Sequence, residues 1–366
     1  MAIYKIFPNK DATIYSNKPT INGGRDEMLE ISSVNNLQFI GTTQGADNIK
    51  RALIQFSDED LDKLATFRTG SYNVRLNLYL AYASALPQDY AIDCYPVSQS
   101  WVMGTSKFAD SPNPKNGVCW YNVGNPNTTV KWNNVTGTHS YLYTTGGGTW
   151  NATYSASEGF EYTSNKDLSL DVTTIVNQWF TDTVPNNGFI LKHSASIELN
   201  PSSSIELKYF SVDTHTIYPP NLEIKWDDSI YNTGSQTNGI IATDDFVLLA
   251  ENNVESYKEG SKYRFKFKVR DRFPTRNFTT SSEYLDWKYL PPQTYWAIQD
   301  YKTAEMVVGF DSSYTKMSAN TTGNYFTVYM NGLQPERSYK ILVKTILPST
   351  QEEIIIDNDI IFKVGR

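Results

Sequence analysis

Cysteine is almost absent. Cys94 and Cys119 are the only two in 366 residues, so no disulfide framework staples the chain. Two reduced, partly buried thiols are the expected state. Histidine is as scarce: His139, His193 and His215 have no neighbour at metal-ligand spacing. His193, beside Lys192, reads as a strand-end histidine. Charged residues make up only 19% of the chain. Residues 1–239 carry 16 Lys+Arg against 23 Asp+Glu, and residues 240–366 carry 16 against 16. Neither half offers the basic face that a nucleic-acid backbone requires. No stretch approaches the roughly 18 apolar residues of a membrane span. The opening residues MAIYKIFPNKDATIY have no basic start, apolar run and cleavage site, so the expectation is a soluble chain synthesised in a cytoplasm.

Aromatics are abundant: 25 Tyr, 17 Phe and 8 Trp, 14% of the chain. Together with Thr they favour pleated, half-buried surfaces, and an all-β fold is expected. Strand-like runs recur at 12–15, 28–31, 51–56, 74–82, 91–97, 189–193, 205–210 and 221–226. Two short helices interrupt them. One follows Ser57 and its acidic run. The other is capped by Asp171 and carries Val172, Ile175, Val176 and Trp179 on one apolar face. The polar segment 229–240 reads as a linker between domains at 1–228 and 241–366. The second domain shows runs at 246–250, 263–269, 306–310, 325–330, 339–346, 354–356 and 360–364, which suits an immunoglobulin-like sandwich. In Tyr263–Arg270 basic residues alternate with Phe265, Phe267 and Val269, the pattern of a strand with one core face.

Motifs of catalysis are missing from the sequence: there is no nucleophile elbow, no phosphate-binding loop and no Cys–His context. Glu158, Glu161 and Asp167 are close in sequence, yet they sit in a polar connection with nothing to raise a pKa. Gly146-Gly147-Gly148 reads as a flexible loop tip. A structural calcium ion would draw on Asp11, Asp227 and Asp228 by residue type alone, without supporting spacing. The long segment 118–154 concentrates Trp120, Tyr121, Trp132, Tyr141, Tyr143 and Trp150 among Asn and Thr. Such rings serve either as a stacking platform for sugars or as filling for the sandwich and its subunit contacts.

Four runs, in order, carry a resemblance. Asp11-Ala12-Thr13-Ile14-Tyr15, Arg51-Ala52-Leu53-Ile54-Gln55-Phe56, Leu76–Leu80 with Val97…Trp101, and Leu170-Asp171-Val172-Thr173…Val176…Trp179 with Asn187-Gly188-Phe189-Ile190-Leu191 resemble the DNRLRE-type domain. That family is a jelly-roll-like β-sandwich related to carbohydrate-binding modules, and the resemblance spans most of residues 1–226. It implies framework roles: Val176 and Trp179 seat a helix on a sheet, and Trp101 plugs an end of the sandwich. Gly332-Leu333-Gln334-Pro335…Tyr339 resembles the corner of fibronectin type III domains, whose tyrosine hydroxyl bonds nearby backbone, with 284–301 as a long insertion. A sandwich of this kind starting close to Met1 and followed by an immunoglobulin-like domain is similar to structural proteins of tailed-phage virions. The resemblance implies a non-enzymatic capsid-decoration, neck or tail component. It would dock to other virion proteins, as a homo-oligomer or ring, without nucleic acid, membrane or cofactor. The alternative is a carbohydrate-binding or adhesion module acting on cell-surface glycans.

Overall fold

The computed structural model describes residues 2–34, 48–67, 70–84, 86, 89–124, 130–133, 146–161, 163–198, 200, 203–234, 239–274 and 287–366. The chain is all-β and divides into two compact units. The first comprises Ile6–Phe67 and Asn73–Glu223; the second comprises Met1–Lys5, Arg68–Tyr72 and Ile224–Arg366. The boundary therefore falls a few residues before the polar segment, and the first residues group with the second unit. No helix among the described residues is long and apolar enough to cross a membrane.

Up to the boundary the strands are β1 (Ala2–Ile6), β2 (Pro8–Tyr15), β3 (Met28–Val34), β4 (Asn48–Phe56), β5 (Tyr72–Leu78), β6 (Leu80–Ser84), β7 (Asp89–Pro96), β8 (Ala156–Glu161), β9 (Leu168–Asp171), β10 (Phe189–His193), β11 (Glu206–Phe210) and β12 (Asn221–Trp226). Three helices join them: α1 (Asp58–Phe67), α2 (Thr173–Phe180) and α3 (Ala195–Glu198). An eight-stranded sheet runs β6-β11-β3-β4-β10-β7-β8, with β2 also paired to β4. Strands β5 and β9 pair in a second, smaller sheet, Leu76 opposite Leu170.

Helix α2 buries the face that its sequence predicts, but its start differs: Val172 is the N-cap residue and makes no side-chain cap bond, while Asp171, one position earlier, accepts the Thr173 N–H at 3.1 Å and the Thr173 hydroxyl at 2.6 Å. Ile175, Val176 and Trp179 are buried, and the Trp179 ring meets Phe189 of the large sheet at 4.6 Å.

Both faces of the large sheet are covered. Along β4, Ala52, Ile54 and Phe56 point to one side while Ile49, Arg51 and Leu53 point to the other, and all are buried. Every residue of β10 is buried as well. The inner face carries Phe56 and Phe189, 6.2 Å apart. The outer face is sealed by a second core described below.

The second unit is a sandwich of two sheets. Its strands are β13 (Phe246–Ala250), β14 (Ser256–Lys258), β15 (Lys262–Asp271), β16 (Thr294–Asp300), β17 (Met306–Val308), β18 (Ser318–Asn320), β19 (Gly323–Tyr329), β20 (Ser338–Ile346) and β21 (Glu353–Gly365). One sheet runs β13-β15-β19-β18 and the other β14-β21-β20-β16-β17. Trp296 of β16 stacks on Phe326 of β19 at 4.6 Å and 6°, which joins the sheets face to face. Phe265, Phe267 and Val269 are buried, as their alternation predicts. Ile3 of β1 belongs to this core. The Tyr339 hydroxyl donates to the Gln334 carbonyl at 3.1 Å, the corner bond that the 332–339 run implies.

Three expectations need correction here. Residues 294–300 are no insertion; they form β16, paired to β20 from Thr294↔Thr345 to Asp300↔Tyr339. The runs 354–356 and 360–364 are one strand, irregular near Asp359, whose φ is 51°. The segment read as a linker is bonded along the second unit wherever it is described. Tyr231 bridges Ala319, Asn232 N–H donates to the Ala319 carbonyl at 3.0 Å, and the Tyr231 hydroxyl donates to the Leu290 carbonyl at 2.7 Å.

Candidate functional site

The described tryptophans of the aromatic segment turn inward. Trp120 is 0% exposed, Trp132 6% and Trp150 7%; Tyr121 is half-buried, and Tyr141 and Tyr143 lie outside the described residues, as does His139. With Val97, Trp101, Val118 and Val123 they pack on Ala12, Ile14, Ile49, Leu53 and Ile190 of the large sheet. The three tryptophans are therefore no exposed stacking platform. The outer face of the sheet is apolar, and these rings remove it from water. Trp101 joins the same layer rather than an end of the sandwich, its Nε1 donating to the Asn187 carbonyl at 2.9 Å. The indole of Trp132 donates to the Cys119 carbonyl at 3.0 Å.

A layer with so little regular structure must satisfy its backbone by other means. Asn22, 1% exposed, supplies much of this. Its Nδ2 donates to the Met103 and Val118 carbonyls at 2.8 and 2.9 Å, and its Oδ1 accepts the Ser106 N–H at 3.2 Å.

Beneath the layer lies a buried ionic centre. Arg51 donates to both carboxylate oxygens of Glu198, at 2.8 and 3.0 Å, and Lys192 reaches the same carboxylate at 3.1 Å. The guanidinium stands 5.0 Å from the Trp120 ring and 5.2 Å from the Trp150 ring. Its remaining fork donates to the Gly147 carbonyl at 2.5 Å. Gly147 is at φ +85°, and a Cβ there would lie 2.7 Å from both Arg51 and Trp120. The glycine run is thus a buried seat for the guanidinium and not a flexible tip.

Burial alone would raise the Glu198 pKa, but Arg51 and Lys192 outweigh it and hold the carboxyl at about 2. Glu198 is consequently a fixed anion at neutral pH, a counter-ion with no proton to deliver. His193, at the end of β10 as expected, packs edge-on against Tyr90, and burial lowers its pKa to about 4. Both cysteines are free and buried, and burial pushes their thiols up. Glu158 departs from the expectation of an unperturbed carboxylate: burial raises its pKa, although it accepts the Ser169 N–H at 2.7 Å.

The calcium candidates are divided between the two units. Asp11 is buried in the first unit and accepts the Val212 N–H at 2.7 Å, while Asp227 and Asp228 belong to the second. Burial pushes the Asp11 carboxyl up to about 7. Among the described residues no group of three or more His, Cys, Asp or Glu is placed to hold a metal ion.

The second unit carries a polar cavity of about 450 Å³ on the outer face of the β15–β19–β18 sheet. Pairing builds its floor: Arg264 lies opposite Thr327, and Ser318 opposite Tyr325. The wall is the chain from Asp227 to Ile230, held to β18 by two bonds. Ile230 N–H donates to Ser318 Oγ at 3.2 Å, and Ala319 N–H donates to the Ile230 carbonyl at 2.9 Å. Asp227 and Asp228 line the wall. The Arg264 guanidinium lies over the Tyr325 ring at 4.5 Å. Burial would raise the Asp227 carboxyl, but hydrogen bonds from Ser229 hold it below its ordinary value. Sequence reasoning named both acids, for a metal, and missed Arg264 and Tyr325. Only their strand pairing across about sixty residues brings them together.

No protein-family model matches the chain, and no curated protein matches it. Among solved structures it is similar, at 9% identity and a TM-score of 0.19, to a DUF4785 family protein from Legionella pneumophila. The alignment covers 99% of this chain and 62% of that one, so the chain spans about three fifths of that structure's length. Similarity at this level carries no inference about fold or activity.

Proposed function

We propose that this chain is a non-enzymatic structural protein of a bacteriophage virion, a capsid-decoration, neck or tail component that works by docking to other virion proteins. One observation carries the reading. The described part of the long segment after β7, which a sandwich can use to build a binding or catalytic loop, places Trp101, Trp120, Trp132 and Trp150 in a second core over the large sheet. A component of an assembly must hold its shape under load, and covering both faces of a sheet serves that end. The resembling runs supply framework groups in the same way: Arg51 in the buried ionic centre, Trp101 in the outer layer, Trp179 on the buried face of α2. A sugar-directed role through Trp120, Trp132 and Trp150 would require that core to open, so docking is the better reading.

The test is mass spectrometry and electron microscopy of purified virions, combined with light scattering of the isolated chain. Stoichiometric presence in the particle, with a ring or other closed oligomer in solution or on the particle, is the expected result. A chain that stays monomeric and is missing from particles overturns the proposal.

A further inference from the structure

We infer that the cavity over Arg264 and Tyr325 binds a neutral polyhydroxylated ligand, a short glycan. The cavity presents both charge signs in one concavity: Asp227 and Asp228 on the wall, Arg264 on the floor. An anion entering it meets two carboxylates, and a cation meets the guanidinium. A neutral diol suits both, because each hydroxyl donates to a carboxylate and accepts from the guanidinium. Arg264 is positioned for this, its guanidinium carbon held over the Tyr325 ring at 4.5 Å. Thr327 adds a hydroxyl beside it, and Ile230, 61% exposed, offers an apolar edge for the C–H face of a sugar ring. The volume of about 450 Å³ falls in the range of small-molecule sites. The wall is also preorganised, since its bonds to Ser318 and Ala319 fix it before any ligand arrives.

This site is separate from the docking role, and either can fail without the other. The experiment uses the full chain on an array of immobilised neutral, sialylated and sulfated glycans. Isothermal titration with soluble trisaccharides of glucose, galactose and mannose, and with a lysine-rich peptide, accompanies it. Binding to a neutral glycan is expected. Arg264→Met and Asp227→Asn should each weaken it by about tenfold or more, with the melting temperature unchanged. Retention on the array with matching titration by the free sugar identifies the ring hydroxyls as the recognised group. Array binding without titration marks the surface presentation of glycans as essential to the same site. Three results overturn the inference: no binding to any neutral glycan at millimolar concentration, binding that both variants leave intact, or binding confined to charged glycans or the peptide. Both variants alter exposed side chains of the cavity rim, and thermal melting of each separates loss of binding from loss of fold.

Discussion

Arg51 and Glu198, separated by 147 positions in the chain, form a two-pronged ion pair at 2.8 and 3.0 Å with both side chains almost fully out of water. The pair ties β4 to α3 on the outer face of the large sheet. Its energetic meaning lies in what happens when one partner is removed. A buried pair is near break-even against apolar packing, whereas an orphaned buried charge is costly.

Glu198→Gln should therefore destabilise the first unit by about 3–5 kcal/mol, because Arg51 and Lys192 lose their counter-charge. The triple variant Arg51→Met, Lys192→Met and Glu198→Leu, which leaves no orphaned charge at the centre, should recover much of the loss. Urea denaturation of the parent and the two variants measures both quantities, and a Glu198→Gln chain as stable as the parent contradicts the role assigned to the pair.

Acid should weaken the fold in two windows. Glu198 has a folded pKa of about 2 against an ordinary 4.5, so its contribution is present above 4.5 and is lost as pH falls toward 2. His193 is held at about 4 by burial against an ordinary 6.5. The unfolded chain takes up that proton first, so stability declines as pH falls from 6.5 to 4. Asp11 acts with the opposite sign over nearly the same range, so the His193 part is read by difference: His193→Gln should lack the decline between pH 6.5 and 4, and its denaturation midpoint should gain on the parent's as pH falls through that window.

Asp11 has the opposite sign. Its folded pKa of about 7 exceeds the ordinary 3.8, so its contribution is present below 3.8 and is lost as pH rises through 7. Asp11→Asn keeps an acceptor for the Val212 N–H and removes the buried charge. At pH 8 the variant should melt at or above the parent; a lower melting temperature at that pH contradicts this account.

Tyr339→Phe removes the bond to the Gln334 carbonyl and nothing else. A loss of about 1 kcal/mol is expected, read as an earlier unfolding transition of the second unit by calorimetry.

Trp120→Ala separates the two readings of the aromatic segment. A core tryptophan costs about 3–5 kcal/mol when truncated, and a solvent-facing stacking ring costs almost nothing. Chemical denaturation should give the larger figure.

Much of the framework was legible in the residues. Val172, Ile175, Val176 and Trp179 announced α2, and Phe265, Phe267 and Val269 announced the core face of β15. What escaped was burial on both sides. Strand β16 has almost no exposed position from Thr294 to Asp300, so it lacks the alternation that marks a strand. The fate of Trp120 and Trp150 was hidden by their neighbours, Asn, Gly and Thr, which suggest surface. A signal was nevertheless present: β4 carries apolar residues on both faces, Ile49 and Leu53 on one, Ile54 and Phe56 on the other. Such a strand needs two covering layers, and the long segment after β7 is the chain left to supply one. The cavity residues Asp227 and Arg264 share no local pattern, since they meet only through the pairing of β15, β19 and β18 and the bonds from Ile230 to β18.

The outer layer also dictates an order of events. Asn22 reaches Val118 across 96 positions, and Arg51 reaches Gly147 across the same span. Both bonds end on carbonyls of chain outside the strands, so they can form only after the strands that hold Arg51 and cover the sheet have paired. The layer acts as a latch that engages last during folding and must release first during unfolding. Its amides should accordingly exchange with solvent through an opening smaller than the global one, while the strands beneath remain protected.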